Sequence, residues 1–181
     1  SNEISFLYAG SYGKKDGIKK LIDAFQIINK ELPNTNLLLV GTLTQNIIEY
    51  VDNKEGVKVI GYLPDEEFYK FIKLNANILC MNRTSSLYAN AGFPFKLGEY
   101  LATGNAVMAS KVSNISDYLE DKKDIIFYKP SNQTSLIDAM RLLITNKKLR
   151  EDLGKSGYLK CVKHFNPETN GKKALGFLSK I

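Results

Sequence analysis

The chain is poor in the side chains that build the commonest catalytic centres. Its 181 residues include one histidine, His164. That excludes a His-rich metal site and argues against a Ser-His-Asp triad. His164 stands beside Phe165 and reads as a helix-end residue. The two cysteines, Cys80 and Cys161, lie far apart and form no CxxC, so a disulfide framework is not expected. Cys80 falls inside an apolar run and reads as core. No apolar run reaches the ~18 residues of a membrane span. Ser1-Asn2-Glu3 leads straight into a strand-like segment with no leader-like run, and Ser1 and Asn2 read as an expression scar. Together these features point to a cytoplasmic protein. Arginine-rich runs and an RNA-binding sheet signature are also missing. The net charge of +6 therefore allows attraction to phosphates, but nucleic acid is not expected as a partner.

What is present is a regular alternation. Short apolar runs recur at 4–9, 36–41, 57–61, 77–81, 106–110 and 125–128. Most are apolar at consecutive positions, as in strands buried on both faces of a parallel sheet. Helical periodicity fills the gaps. Residues 17–31 put Ile18, Leu21, Ile22, Phe25 and Ile28 on one face, and Pro33 follows the stop. Residues 64–74 open on Pro64 and three acidic residues, a combination suited to a helix N-terminus. Segments 44–53, 94–103, 114–120, 132–145, 147–164 and 167–180 also read as helical. This order predicts an α/β fold: a Rossmann-like, doubly wound, six-stranded parallel sheet of order 3-2-1-4-5-6 with helices on both faces. Ligands of such sheets bind beyond the carboxyl ends of strands one and four. The loops expected there, 10–17 and 82–92, are rich in glycine and polar residues, and the second is long.

Two candidate phosphate cradles lie in or beside these loops. Gly10, Ser11, Gly13, Lys14 and Lys15 combine glycines, which let backbone approach an anion, with lysines that neutralise it. The loop is neither GxxxxGK[ST] nor GxGxxG. Gly92, Phe93, Pro94, Phe95 and Lys96 form the second cradle, where a glycine-led turn opens a helix whose first amides lack intrahelical partners. Glu99, further along that helix, suits ribose hydroxyls. Lys96 in the first turn is electrostatically misplaced unless an anion shares the site; otherwise it pairs with Glu99 at i,i+3. Exposed backbone at Gly61, Tyr62 and Leu63 could hydrogen-bond a base edge, although the residues alone favour a plain strand–turn–helix with Pro64 at the helix start.

The series LIDAF, NLLLVG, VIGYLPDEEFYKFI, ANILCMN and GFPFKLGEYLATGNAVMAS resembles the C-terminal half of GT-B glycosyltransferases, and is most similar to the large retaining family-4 group. The resemblance covers nearly the whole chain. It implies that Glu99 matches the second Glu of a Glu-x7-Glu motif that holds the ribose. Gly92, Phe93 and Pro94 match the turn that meets the diphosphate and donor sugar, and 10–17 matches the phosphate loop. Gly61, Tyr62 and Leu63 match the base-reading segment. There are departures. The first Glu of the motif falls at Ala91, the phosphate Arg near Ser11, and the phosphate Lys near Asp16. Lys14, Lys15, Arg83 or Lys96 would supply the missing charge. Some branches carry the pattern formed here by Pro94, Lys96, Leu97, Glu99 and Tyr100.

The expectation is therefore the donor-binding half of a retaining, hexosyl-type glycosyltransferase. Such an enzyme moves a sugar from a nucleoside diphosphate to an acceptor hydroxyl, with no cofactor and no metal. The alternative is a non-enzymatic or degenerate nucleotide- or sugar-binding module on the same fold. Residues 3–166 form the nucleotide-sugar domain. Residues 167–181 form a helix that contacts an N-terminal acceptor domain through Ala174, Leu175, Phe177 and Leu178. Catalytic residues are expected in that domain, leaving this half alone inactive. A lipid-linked acceptor at the inner face of the membrane stays open.

Overall fold

The computed structural model describes residues 3–179, apart from the side chains of Lys173 and Ala174. Ser1 and Asn2 lie outside the described residues, as does the burial of Ala174. Six parallel strands are described: β1 (Ile4–Ala9), β2 (Thr35–Val40), β3 (Val57–Gly61), β4 (Ile78–Met81), β5 (Ala106–Ser110) and β6 (Ile126–Tyr128). Their order is β3-β2-β1-β4-β5-β6, as the alternation predicts. The helices are α1 (Ile18–Glu31), α2 (Gln45–Val51), α3 (Asp65–Asn75), α4 (Leu87–Asn90), α5 (Lys96–Ala102), α6 (Gln133–Thr145), α7 (Lys147–His164) and α8 (Pro167–Leu178).

Side chains on successive strand positions point to opposite faces, so each central strand feeds two cores. Phe6 and Tyr8 of β1, Leu37 and Leu39 of β2, and Ile78 and Cys80 of β4 face α1 and α6, meeting Leu21, Phe25, Met140 and Leu143. Leu7, Leu38, Leu79 and Val107 face the other way, toward Ile72 of α3 and Leu97, Tyr100 and Leu101 of α5. This is why the runs are apolar at every position. The edge strand β3 is the exception, with Val59 48% exposed.

Three local readings change. Residues 114–120 form only a 3-10 turn, Ile115–Asp117, so the segment is too short to be a helix. The loop after β4 contains α4, capped where the Ser86 hydroxyl accepts the Ala89 amide at 3.1 Å. Pro64 is the cap before α3, not its first helical residue.

Helix α7 does not stay on one face. Leu149 and Leu153 belong to the α1 and α6 side, whereas Cys161 and Phe165, at and just past its end, pack on the α5 side. The helix crosses at Gly154 and Gly157, both buried. A Cβ at Gly154 would collide with the Gly104 carbonyl, and one at Gly157 with Leu101 and the Asp124 carbonyl. Helix-interior glycine costs about 0.5–1 kcal/mol relative to alanine, and here it permits the crossing. Beyond the crossing, α8 leaves Leu175, Phe177 and Leu178 exposed. Among the described residues no helix is long and apolar enough to cross a membrane.

Asp124 pins α7 to the loop before β6. It is buried, accepts the Ser156 hydroxyl at 2.5 Å and the Glu120 amide at 2.9 Å, and lies 3.4 Å from the Lys160 ammonium. Burial pushes its carboxyl up, but Ser156, the Glu120 amide and Lys160 together hold it below its ordinary value. A carboxyl lowered on folding stabilises the fold above its unfolded pKa, and that contribution is lost as pH falls through the folded value. Asp124→Asn should therefore cost about 1.5–3 kcal/mol near neutrality. The gap between variant and wild type should close in acid, below about pH 4. Urea titrations across pH check this; a gap independent of pH would contradict it.

Candidate functional site

The chain turns sharply at the carboxyl end of β1. Gly41, after β2, has φ +118° and presses on the Gly10 carbonyl so closely that a Cβ there would collide. Tyr12 takes a left-handed φ of 58°, an uncommon conformation for a bulky residue. It is held there by burial, by its hydroxyl donating to the Val40 carbonyl at 3.0 Å, and by an edge-on contact with Tyr8. The loop then makes a 3-10 turn, Lys14–Asp16, in which the Asp16 carboxylate accepts the Gly13 amide at 3.0 Å. Burial, and then the Asp16 carboxylate, push the Tyr8 phenol well above its ordinary value.

Loops 10–17 and 82–92 meet, as a switch point requires. The Asn82 side-chain amide donates to the Asp16 carbonyl at 2.6 Å and the Gly17 carbonyl at 3.1 Å, while its oxygen accepts the Tyr128 hydroxyl at 2.6 Å. The Thr84 amide donates to the Lys15 carbonyl at 2.8 Å. Arg83 donates through one guanidinium nitrogen to the carbonyls of Ala89 and Gly92, at 3.3 and 2.9 Å. It thereby fixes the turn that opens α5.

Helix α5 is anchored by Tyr100. Its hydroxyl accepts the Ala9 amide at 2.9 Å and donates to the Ala9 carbonyl at 3.2 Å. The first backbone bond of the α5 entry runs from the Leu97 amide to the Pro94 carbonyl, so the amides of Phe95 and Lys96 precede it. Between these elements lies a cavity of about 210 Å³ lined by Tyr8, Gly10, Ser11, Lys15, Asp16, Asn82, Arg83, Pro94, Phe95 and Lys96. Three cations there face one carboxylate. A cleft of about 570 Å³ adjoins it, sharing Gly10, Ser11 and Lys96 and extending past Tyr62, Leu63, Phe68, Tyr69 and Glu99.

Glu99 stands at the junction. Its Oε2 is enclosed and takes no hydrogen bond, with the Lys96 ammonium 3.7 Å away. That ammonium also lies over the Phe68 ring, 5.1 Å from its centre. On the other side of α5 a groove of about 1020 Å³ is walled by Phe93, Tyr118, Tyr158, Val162 and Phe165, and Tyr69, Phe95 and Glu99 border it too.

The structure thus gathers Gly10, Ser11, Lys15, Arg83, Pro94, Phe95, Lys96, Glu99, Tyr62 and Leu63 around one concavity. Others fall elsewhere. Lys14 is exposed and lines neither chamber, and the Gly13 amide is already donated to Asp16. Phe93 turns into the apolar groove, stacking near Tyr118 and Phe165. Ala91 and Gly92 are exposed outside both chambers, although the Gly92 carbonyl is held by Arg83. The Gly61 carbonyl accepts the Gly41 amide at 2.8 Å. Sequence reasoning passed over Asn82, Tyr69 and the anchoring role of Tyr100. Asn82 carries a usable signal, a polar residue ending an apolar strand at the switch loop; Tyr69 carries none. Among the described residues no three of His, Cys, Asp and Glu come together as a metal cage.

Comparison with known proteins agrees with this architecture. Residues 1–160 match the family model for glycosyl transferases group 1. An uncharacterized glycosyltransferase of Methanocaldococcus jannaschii is 23% identical over 97% of this chain and 46% of its own length. The chain spans about half the length of that curated relative. Among solved structures, HepE of Anabaena, in complex with UDP, superposes with a TM-score of 0.84 at 16% identity, over 99% of this chain and 50% of its own. The C-terminal domain of a group 1 glycosyl transferase, LpcC, from Francisella tularensis gives 0.76 at 18% identity, over 91% and 87%.

The Tyr100 anchor predicts a specific loss. Tyr100→Phe keeps the ring in its buried place but removes both bonds to Ala9. It should lower stability by about 1–3 kcal/mol, read as a fall in the urea midpoint without a change in slope.

Proposed function

The chain belongs to the glycosyl transferases group 1 family, and on that premise we propose that it binds the nucleoside diphosphate sugar whose sugar the enzyme moves to an acceptor hydroxyl. The observation that carries this reading is one concavity in which Lys15, Arg83 and Lys96 converge beside a cleft that Glu99 lines. A carboxylate there suits ribose hydroxyls as an acceptor. The diphosphate then lies toward Lys15, Arg83 and Lys96, where preorganised charge stabilises it as it departs. The base lies along Tyr62 and Leu63. The UDP bound by HepE of Anabaena supports a nucleotide in this fold.

Lysines, arginine and backbone amides do the work of charge neutralisation in this reading, without a metal. Retention at the anomeric carbon and a hexosyl donor follow from the likeness of the Gly92–Ser110 stretch to the retaining family-4 group. The acceptor site belongs to an N-terminal half, in keeping with relatives about twice as long. The exposed Leu175, Phe177 and Leu178 of α8 are the surface offered to it. A closed two-domain cleft positions the substrates and excludes water, which one wall cannot do. The reaction belongs to the cytoplasm, and the inner membrane face suits a lipid-linked acceptor. A degenerate binding module is the second reading. It is favoured by Asp16 in the phosphate chamber and Ala91 outside it, and is separated by turnover in the longer protein.

Two measurements test the site. UDP, GDP or ADP should bind more tightly than its nucleoside, and salt should narrow that difference. Equal calorimetric affinities at low salt would remove the diphosphate from the cleft. Glu99→Ala should cost about 1.5–3 kcal/mol of nucleotide affinity with an unchanged melting temperature; unaltered affinity would remove Glu99 from the site.

A further inference from the structure

We propose that Asn82 is a positioning residue for the diphosphate: its side chain, oriented by Tyr128, locks the backbone that carries Lys15 to the backbone that carries Arg83, so that the two cations meet the ligand at a fixed spacing. The inference rests on the nucleotide reading above and adds to it a buried clamp built from the ends of β4, β5 and β6.

Lys15 sits on the loop after β1 and Arg83 on the loop after β4. The separation of two such loops is set by whatever ties them together. Three successive carbonyls of the first loop accept hydrogen bonds from the second. The Thr84 amide donates to Lys15 at 2.8 Å, and the Asn82 side chain donates to Asp16 at 2.6 Å and to Gly17 at 3.1 Å. These two donors flank Arg83 in sequence. The loops also touch directly. Gly17 has a left-handed φ of 55°, and a Cβ there would come within 3.0 Å of Thr84 and 3.3 Å of Asn82.

An amide side chain has a donor end and an acceptor end, so its orientation must be enforced. The Tyr128 hydroxyl does this by donating to Asn82 Oδ1 at 2.6 Å. Burial pushes that phenol well above its ordinary value, so it stays protonated. Ser110, beside it at the end of β5, accepts the Arg83 amide at 2.8 Å. Asn82, Ser110 and Tyr128 are all buried, where a misoriented amide would leave polar groups unpaired. Asn82 lines the chamber, but both its donor hydrogens are spent on the loop. Its effect on a ligand therefore passes through Lys15 and Arg83.

The test is calorimetry with UDP, GDP and ADP on the wild type, Asn82→Ala, Tyr128→Phe and the double variant, each kept below its own melting temperature. Nucleoside affinities are read by competition against the bound diphosphate. For a diphosphate that binds the wild type, Asn82→Ala should lose about tenfold or more in affinity, while its nucleoside loses less than about twofold. Tyr128→Phe keeps the ring and lies outside the chamber. It should show the same selective loss, by about threefold or more, and it carries the comparison if Asn82→Ala does not fold. The double variant should bind no more weakly than Asn82→Ala, because Tyr128 acts through the same amide. A purely structural role would lower the melting temperature and leave diphosphate and nucleoside affinities in their wild-type ratio. That result would overturn the proposal and leave the nucleotide site intact. Additive losses in the double variant would overturn it too. If no diphosphate binds the wild type, the nucleotide reading falls and this inference falls with it.

Discussion

A single phenol joins the two halves of the site. The Tyr100 hydroxyl both accepts from and donates to Ala9, the last residue of the central strand, and its ring is buried among Leu97, Leu101 and Val107. Burial pushes this phenol far above its ordinary value, so it stays protonated and able to donate. Because Glu99 precedes Tyr100, any shift of that ring would move the carboxylate at the cleft. Because Ala9 precedes Gly10, the same shift would move the loop that carries Lys15. The cleft geometry is thus an extension of the core, as a preorganised binding site requires.

Charge is distributed around that anchor in an unusual way. Asp16 occupies the chamber where a cation would be the simple expectation for an anion site. Its carboxylate is committed to the Gly13 amide, which makes it part of the loop's scaffold. Lys15 and Lys96 each lie over an aromatic ring, Tyr88 and Phe68 respectively, contacts that hold a long side chain without neutralising it. Arg83 spends one nitrogen on two carbonyls and keeps its charge facing the chamber. Lys15 and Arg83 are therefore held by groups that leave their charge free for an anion, whereas Lys96 also pairs with the Glu99 carboxylate at 3.7 Å.

Helix α7 supplies the second constraint. By crossing from one face of the sheet to the other it ties the α6 layer to the α5 layer, and two glycines at the crossing let it approach the turn at Gly104. Asp124, below its ordinary pKa through its partners on α7 and the Glu120 amide, closes the same junction. The large apolar groove forms where this helix ends beside α5.

Much of this was legible in the sequence. The six strands followed from patterning, because burial on a strand or helix repeats with a period that a linear sequence displays; their order and the meeting of loops 10–17 and 82–92 followed from the common order of doubly wound sheets. Glu99, Lys96 and Lys15 were legible as candidates because a glycine-led turn and a helix start signal an anion site locally, and Arg83 only through the family resemblance. Tertiary structure alone decided which cations converge, sending Lys14 to solvent and Lys15 inward. It also decided that Phe93 faces the groove, that 114–120 makes only a 3-10 turn, that α7 crosses the sheet, and that Tyr69 of α3 reaches Glu99 of α5. Those outcomes depend on contacts between residues tens of positions apart, set by how whole elements pack, and no spacing along the chain records them.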